Sequence, residues 1–177
     1  RMAEMVIGEK VTLEEMGGAR MHTSRSGVGH ALVASDEEGI DFARRYLSYF
    51  PTHYELEPPA VPAAEPASSR AIGELIPADE NKPFDMRELL DALVDAESFL
   101  EVHARWAREV IVGYARLDGR VIGIVANQPK VKGGVLFVDS ADKCARFIWT
   151  CNAFNIPLLF LADVPGFMIG TQVAVSY

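Results

Sequence analysis

Seven of the ten prolines in this 177-residue chain fall between Pro51 and Pro83, in PTHYELEPPAVPAAEPASSRAIGELIPADENKP. Proline lacks an amide hydrogen and fixes φ, so this density forbids a continuous helix or a central strand. Residues 51–83 therefore form a linker between an N-terminal piece, 1–50, and a C-terminal piece, 84–177. Pro58, Pro59, Pro62 and Pro66 favour an extended, polyproline-like path, which predicts a strap that crosses a surface and spaces two lobes. About 50 residues cannot build a robust core alone. The N-terminal piece reads as the tail of a larger domain.

That piece closes with a predicted helix. Ser35 is its N-cap, Glu38 stands at the capping-box position, and Asp36 and Glu37 suit the helix dipole. Ile40, Ala43, Leu47 and Phe50 recur on one face, with Arg44 and Arg45 elsewhere. The preceding stretch, Gly17 to His30, is too glycine-loaded for a regular element. After the strap, Asp85 caps a second helix with Glu88 at its box position and an apolar face of Met86, Leu89, Leu90, Leu93 and Val94. Two β-branched runs, 109–117 and 120–126, flank Asp118-Gly119, the dipeptide that most favours a two-residue hairpin turn. A short strand over Val135–Val138, a helix from about Ala141 to Phe154, and an apolar strand over Pro157–Ala162 follow. The last is expected to be buried on both faces, and the whole describes an α/β layer. Gly113, Gly123, Phe147 and Trp149 read as packing residues.

Composition narrows the function. Seventeen Lys and Arg against 25 Asp and Glu give a net charge of −8, and no basic face is available to neutralise nucleic-acid phosphates. The apolar run Ile156–Leu161 is far shorter than the roughly 20 residues of a membrane span. Nothing at Arg1–Met5 resembles a secretory signal. Cys144 and Cys151 lie about 10 Å apart along one helix, too far for a mutual disulfide. A soluble, cytoplasmic protein is the expectation. His22, His30, His53 and His103 have no ligand-like spacing, so no metal site is expected. Nucleophile elbow, P-loop, dinucleotide fingerprint and HExxH pair are all missing from the sequence.

Chemistry is therefore sought in backbone. Asp163-Val164-Pro165-Gly166-Phe167-Met168-Ile169-Gly170 begins where the last strand stops, and ligands of α/β sheets collect beyond the carboxyl ends of strands. Two readings are open: an amide cradle for an oxyanion or carboxylate, or a tight exit turn with Phe167 as a core plug. Asn127-Gln128-Pro129 and the following Lys130-Val131-Lys132-Gly133-Gly134 make a second loop, whose lysines are either solvated or face an anionic substrate. Asp139, Ser140 and Asp142 are read as helix caps, and Lys143 follows them.

Six blocks then carry a resemblance: GGARMHTSRSGVGH (17–30), SYFP (48–51), PADENKPFDMREL (77–89), GYARLDGRVIGIVANQP (113–129), GGVLFVDSADKCARFI (133–148) and FNIPLLFLADVPGFMIG (154–170). In this order, with the proline strap between them, they resemble the carboxyltransferase (beta) subunit of biotin-dependent acyl-CoA carboxylases, closest in style to the propionyl-CoA type. The resemblance implies a crotonase-like fold of two tandem domains. Residues 1–50 would close the first and 84–177 open the second. It also implies transfer of a carboxyl group from carboxybiotin to the α-carbon of a short-chain acyl-CoA. The enolate on the thioester oxygen would be held by backbone amides, with biotin itself serving as base. Biotin would arrive on the carrier of a partner biotin carboxylase or biotin carrier subunit, and the subunits would form a homo-oligomer of three stacked on three.

By the same resemblance, Gly166 and Phe167 would be catalytic through their backbone. Pro165, Asn127, Gln128, Pro129, Gly133 and Gly134 would be substrate- and biotin-binding. Phe137 stands where many relatives carry Asp, and Ala174–Tyr177 departs from the family pattern. The family's glycine-bearing oxyanion pairs would lie before Arg1 and after Tyr177, so the 177 residues by themselves are expected to be inactive. Two other functions are carried beside this one: a non-catalytic assembly or carrier-docking module, and a biotin-dependent acyl-CoA decarboxylase subunit that runs the reaction backward.

Overall fold

Asp118 and Gly119 both adopt left-handed backbone, φ 53° and 73°, the conformation a type I′ turn demands. They join β2 (Val110–Leu117) to β3 (Arg120–Asn127), which pair along their full length from Val110↔Asn127 to Leu117↔Arg120. The computed structural model describes residues 5, 6 and 8–170; the divergent Ala174–Tyr177 stretch and residues 1–4 lie outside them. Around the hairpin, β1 (Leu100–Val102) pairs antiparallel with β2 and β4 (Leu158–Leu161) pairs parallel with β3, giving the order β1-β2-β3-β4.

Both faces of the hairpin are covered, which is why its strands are nearly continuous β-branched runs. Val110, Val112 and Tyr114 face one cluster with Val121, Val125, Phe147, Cys151 and Ile156. Ile111 and Ala115 face the other, with Met86, Leu89, Leu90, Val94, Ile124 and Ala126. The first cluster is roofed by α6 (Val138–Ala153) and the second by α5 (Met86–Asp91). Gly123 is required where α6 crosses: a Cβ there would sit 2.7 Å from Cys151 Sγ. Cys144 and Cys151 are both free thiols.

Helix α6 starts at Val138, earlier than expected, because the Ser140 hydroxyl accepts from the Phe137 amide at 2.6 Å. The expected strand over Val135–Val138 is accordingly reduced to one bridge, Leu136↔Phe167. β4 is also not buried on both faces. It pairs with β3 alone among the described residues and leaves Phe160 57% exposed. Of the four expected packing residues, Gly113, Gly123 and Phe147 are buried, but Trp149 is 72% exposed.

The N-terminal piece has α1 (Leu13–Gly17), α2 (Ala19–Ser24) and α3 (Asp36–Leu47). The glycine-rich stretch is therefore partly helical, with Thr12 and Glu15 closing a capping box at the head of α1. Ser35 caps α3 as expected, while the Glu38 carboxylate takes the Ala34 amide instead of that of Ser35. The buried face of α3 differs from the expected one. Ile40 and Leu47 are exposed, and Phe42, Tyr46, Tyr49 and Phe50 pack on the α6-side cluster. Aromatic side chains bury more area each than aliphatic ones, and here Tyr49 stacks on Tyr114 while Tyr46 and Phe50 meet it edge-on. Arg45 fixes the choice by donating to the carbonyls of Glu97 and Phe99, both at 2.8 Å.

Between Pro51 and Pro83 the only helix is the four-residue α4 (Ile72–Leu75). The strap seats on the hairpin turn. The Val61 amide donates to the Gly119 carbonyl at 3.0 Å, and a Cβ on Gly119 would collide with the Val61 carbonyl at 1.9 Å. Asp95, buried, accepts from the amides of Ala64, Asp118 and Gly119 at 3.4, 2.9 and 2.8 Å.

Candidate functional site

Because β3 and β4 run parallel, their carboxyl ends, Asn127 and Leu161, lie side by side. Two loops leave from there, 128–136 and 162–170. In the first, the Val131 amide bonds back to Gln128 and the Gly134 amide to Val131, both at 2.9 Å. Lys132, Gly133 and Gly134 follow with φ of 51°, 65° and 73°, a left-handed run that two glycines make accessible. In the second, the Leu136 amide donates to Gly166 and the Met168 amide to Leu136, at 3.2 and 2.8 Å. In this parallel bridge the N–H and C=O of Phe167 point away from Leu136. Among the described residues the Phe167 amide has no backbone acceptor. Gly166 sits at φ 152° with open space where a Cβ would stand.

Of the expected site residues, Asn127, Gln128, Pro129 and Gly134 are buried, and Gly133 and Pro165 are exposed. Phe167 is 74% exposed, so the core-plug reading does not hold. The Asn127 and Gln128 side chains are occupied within the protein. Asn127 Nδ2 donates to the Gly134 carbonyl and its Oδ1 accepts from the Asp163 amide. Gln128 Nε2 donates to Asp85 at 2.7 Å, and its Oε1 accepts from the Met86 amide at 3.3 Å, fixing the start of α5. Burial would raise the Asp85 pKa, but the Gln128 amide, the Arg87 amide and the charges of Arg87 and Lys130 outweigh it and hold it below the usual value.

The loop lysines have protein partners. Lys130 lies 3.8 Å from both Asp85 and Glu88. Lys132 lies 3.8 Å from buried Glu109 and 4.3 Å over the Phe137 ring, so the phenyl at that position supports a cation through its face. A cavity of about 540 Å³ opens beside the end of β4, walled by Phe84, Met86, Leu89, Leu161 and Asp163, with Asp79, Glu80 and Lys82 among the other lining residues. Gly166 and Phe167 are not among its lining residues; they follow Asp163 in the 162–170 loop.

Lys143 was the residue least legible as functional scaffold. It is fully buried, and its ammonium donates to the carbonyls of His103, Trp106, Ala107 and Val110 at 3.1, 2.9, 3.3 and 2.6 Å. Burial pushes its pKa down to about 8, against the opposing pull of Glu101, Cys144 and Glu109. The bonds hold the loop that delivers Glu109 and the first residue of β2 to the site end. Its signal in the sequence was positional: Ser140, Lys143, Phe147 and Cys151 form one buried stripe of α6. No group of three or more His, Cys, Asp or Glu suited to a metal occurs among the described residues.

Residues 1–175 match the family described as the carboxyl transferase domain. The chain belongs to the carboxyl transferase family. It is 58% identical over 98% of its length to the uncharacterized carboxylase YngE of Bacillus subtilis, of which it covers 34%. It is 44% identical to the propionyl-CoA carboxylase carboxyltransferase subunit of Haloferax mediterranei, over 94% of this chain and 33% of that protein. The crystal structure of transcarboxylase 12S, a hexamer with methylmalonyl-coenzyme A and methylmalonic acid bound, matches with a TM-score of 0.92 and 37% identity. That match covers 98% of this chain and 34% of the other. The α/β, crotonase-like fold expected from the sequence is thus the fold of this carboxyl transferase chain, which spans about a third of the length of these relatives. No helix among its described residues is long and apolar enough to cross a membrane.

Proposed function

We propose that this chain is part of a carboxyltransferase that moves a carboxyl group from carboxybiotin to the α-carbon of a short-chain acyl-CoA, within an oligomer served by a biotin-carrying partner. Residues 1–50 would end one crotonase-like domain, 51–83 link, and 84–177 begin the next. The observation that carries the reading is the Phe167 amide, left without a backbone acceptor among the described residues beyond the carboxyl end of a parallel strand. Gly166 beside it has no side chain to cover the approach.

The residues suit the carrier-borne group: the cavity beside β4 sets Phe84, Met86 and Leu161 among Asp79, Glu80, Lys82 and Asp163, a lining that would take a ring with polar edges, and the Phe167 amide of the adjoining loop would take a carbonyl oxygen. Carboxybiotin, when bound, supplies the carboxyl group. The chain's own part is to bind and to stabilise charge. Gly166 and Phe167 present main-chain donors where negative charge develops. Pro165 fixes the bend, and Pro129, Gly133 and Gly134 shape the facing loop. Gln128 acts through Asp85 and the head of α5. One preorganised donor to an oxyanion is worth about a hundredfold to a thousandfold in rate.

In the assembled enzyme, Gly166→Val, which puts a branched side chain beside the Phe167 amide at a position with φ 152°, should lower carboxyl transfer to propionyl-CoA about a hundredfold with the oligomer kept. Turnover within a factor of about two of wild type would defeat the reading.

A further inference from the structure

β3 and β4 stop pairing through backbone at Ala126↔Leu161. At the next step the chains part, and the Asn127 side chain takes over. Its Oδ1 accepts from the Asp163 amide at 3.2 Å and its Nδ2 donates to the Gly134 carbonyl at 2.9 Å. The residue is only 7% exposed. The same three residues are packed against one another: a Cβ on Gly134 would lie 2.8 Å from the Asp163 carbonyl and 3.2 Å from Asn127 Cβ. The 163–167 turn is thus held at its start by Asn127 and at its far end by the Leu136 bonds to Gly166 and Met168. Between those points no described amide is bonded.

We propose that Asn127 is a positioning residue and not a ligand of substrate: its amide welds the left-handed 132–134 turn to the 163–167 turn, and so fixes where the Phe167 amide is presented. The inference rests on the carboxyltransferase reading of that turn. The job requires one donor and one acceptor in a short, planar side chain, which asparagine offers at every pH. An ionised aspartate keeps the acceptor for Asp163 but sets an anionic oxygen against the Gly134 carbonyl. A protonated aspartate restores the donor. Burial raises the pKa of such a carboxyl, so the neutral form is within reach of mildly acidic solution.

The test uses Asn127→Asp in the assembled enzyme, with kcat for propionyl-CoA measured from about pH 9 to about pH 6 and expressed as a ratio to wild type. The expected deficit is about a hundredfold at the alkaline end, the cost of a misplacement near 1 Å. It should shrink at least about tenfold toward the acid end while KM changes little. A ratio constant with pH, or a rise in KM with kcat preserved, overturns the proposal. Asn127→Leu, of equal shape and without either bond, gives a second reading that needs no turnover. Hydrogen exchange should accelerate together in peptides covering 131–136 and 162–168, and acceleration in one alone or in neither also overturns it. Full turnover in Gly166→Val would remove the carboxyltransferase reading of the turn, yet leave the joint exchange response of Asn127→Leu to judge the weld.

Discussion

The two ends of the β2–β3 hairpin are each held by one buried polar side chain, and the side chains differ in chemistry. At the closed end Asp95 is purely an acceptor, gathering the amides of Ala64, Asp118 and Gly119. At the open end Asn127 is half donor and half acceptor, bridging a carbonyl on one loop to an amide on another. A turn whose amides converge is satisfied by an anion. Two chains that diverge need a group that faces both ways. The closed end is locked further by the strap across Gly119, whereas at the open end Phe167 is exposed among the described residues.

If the open end depends on buried polar anchors, its largest vulnerability is Lys143. Lys143→Met should cost about 3–5 kcal/mol in chemical denaturation, because four carbonyls lose their shared donor in a closed interior and each stranded acceptor costs about 1–3 kcal/mol, offset in part by removal of a buried ammonium. A cost under about 1 kcal/mol would show that the loop holds itself. Asp95→Ala, at the closed end, should cost about 1–3 kcal/mol for the stranded turn amides. In the assembled enzyme it should leave kcat unchanged, and a matching fall in kcat would erase the contrast between the ends. The smallest effect concerns His103, buried beside His30. Burial first, then the charges of His30, Lys143 and Arg146, push its pKa down from 6.5 to about 4. The unfolded chain therefore takes up this proton at higher pH than the folded one, so stability falls as pH drops from 6.5 toward about 4. Melting curves of His103→Asn across that window should show a shallower decline.

The elements that could be read from the sequence were those decided locally. Asp118-Gly119 fixes its turn by backbone preference alone, Ser35 caps its helix within three residues, and the proline strap confines helix to the four residues of α4. What could not be read depends on partners distant in the chain. Ile40 and Leu47 satisfy helical periodicity, but the sheet presents Tyr114 to Tyr46, Tyr49 and Phe50, and this decides which face turns inward. Asp95 and Lys143 look like surface charges until the strap and the 103–110 loop supply amides and carbonyls around them. The same holds at the candidate site. Pro165, Gly166 and Phe167 announce a bend, while the inward engagement of Asn127 and Gln128 follows from where Gly134, Asp163 and Asp85 come to rest.

The carbonyl cage around Lys143 resembles the coordination shell of a potassium ion, except that this cation is tethered to the helix beside it. A free ion could leave and let the loop relax by itself. A tethered one makes the helix and the loop a single cooperative unit, so that rigidity at the mouth of the sheet is inherited from α6 and is indifferent to the salt in solution.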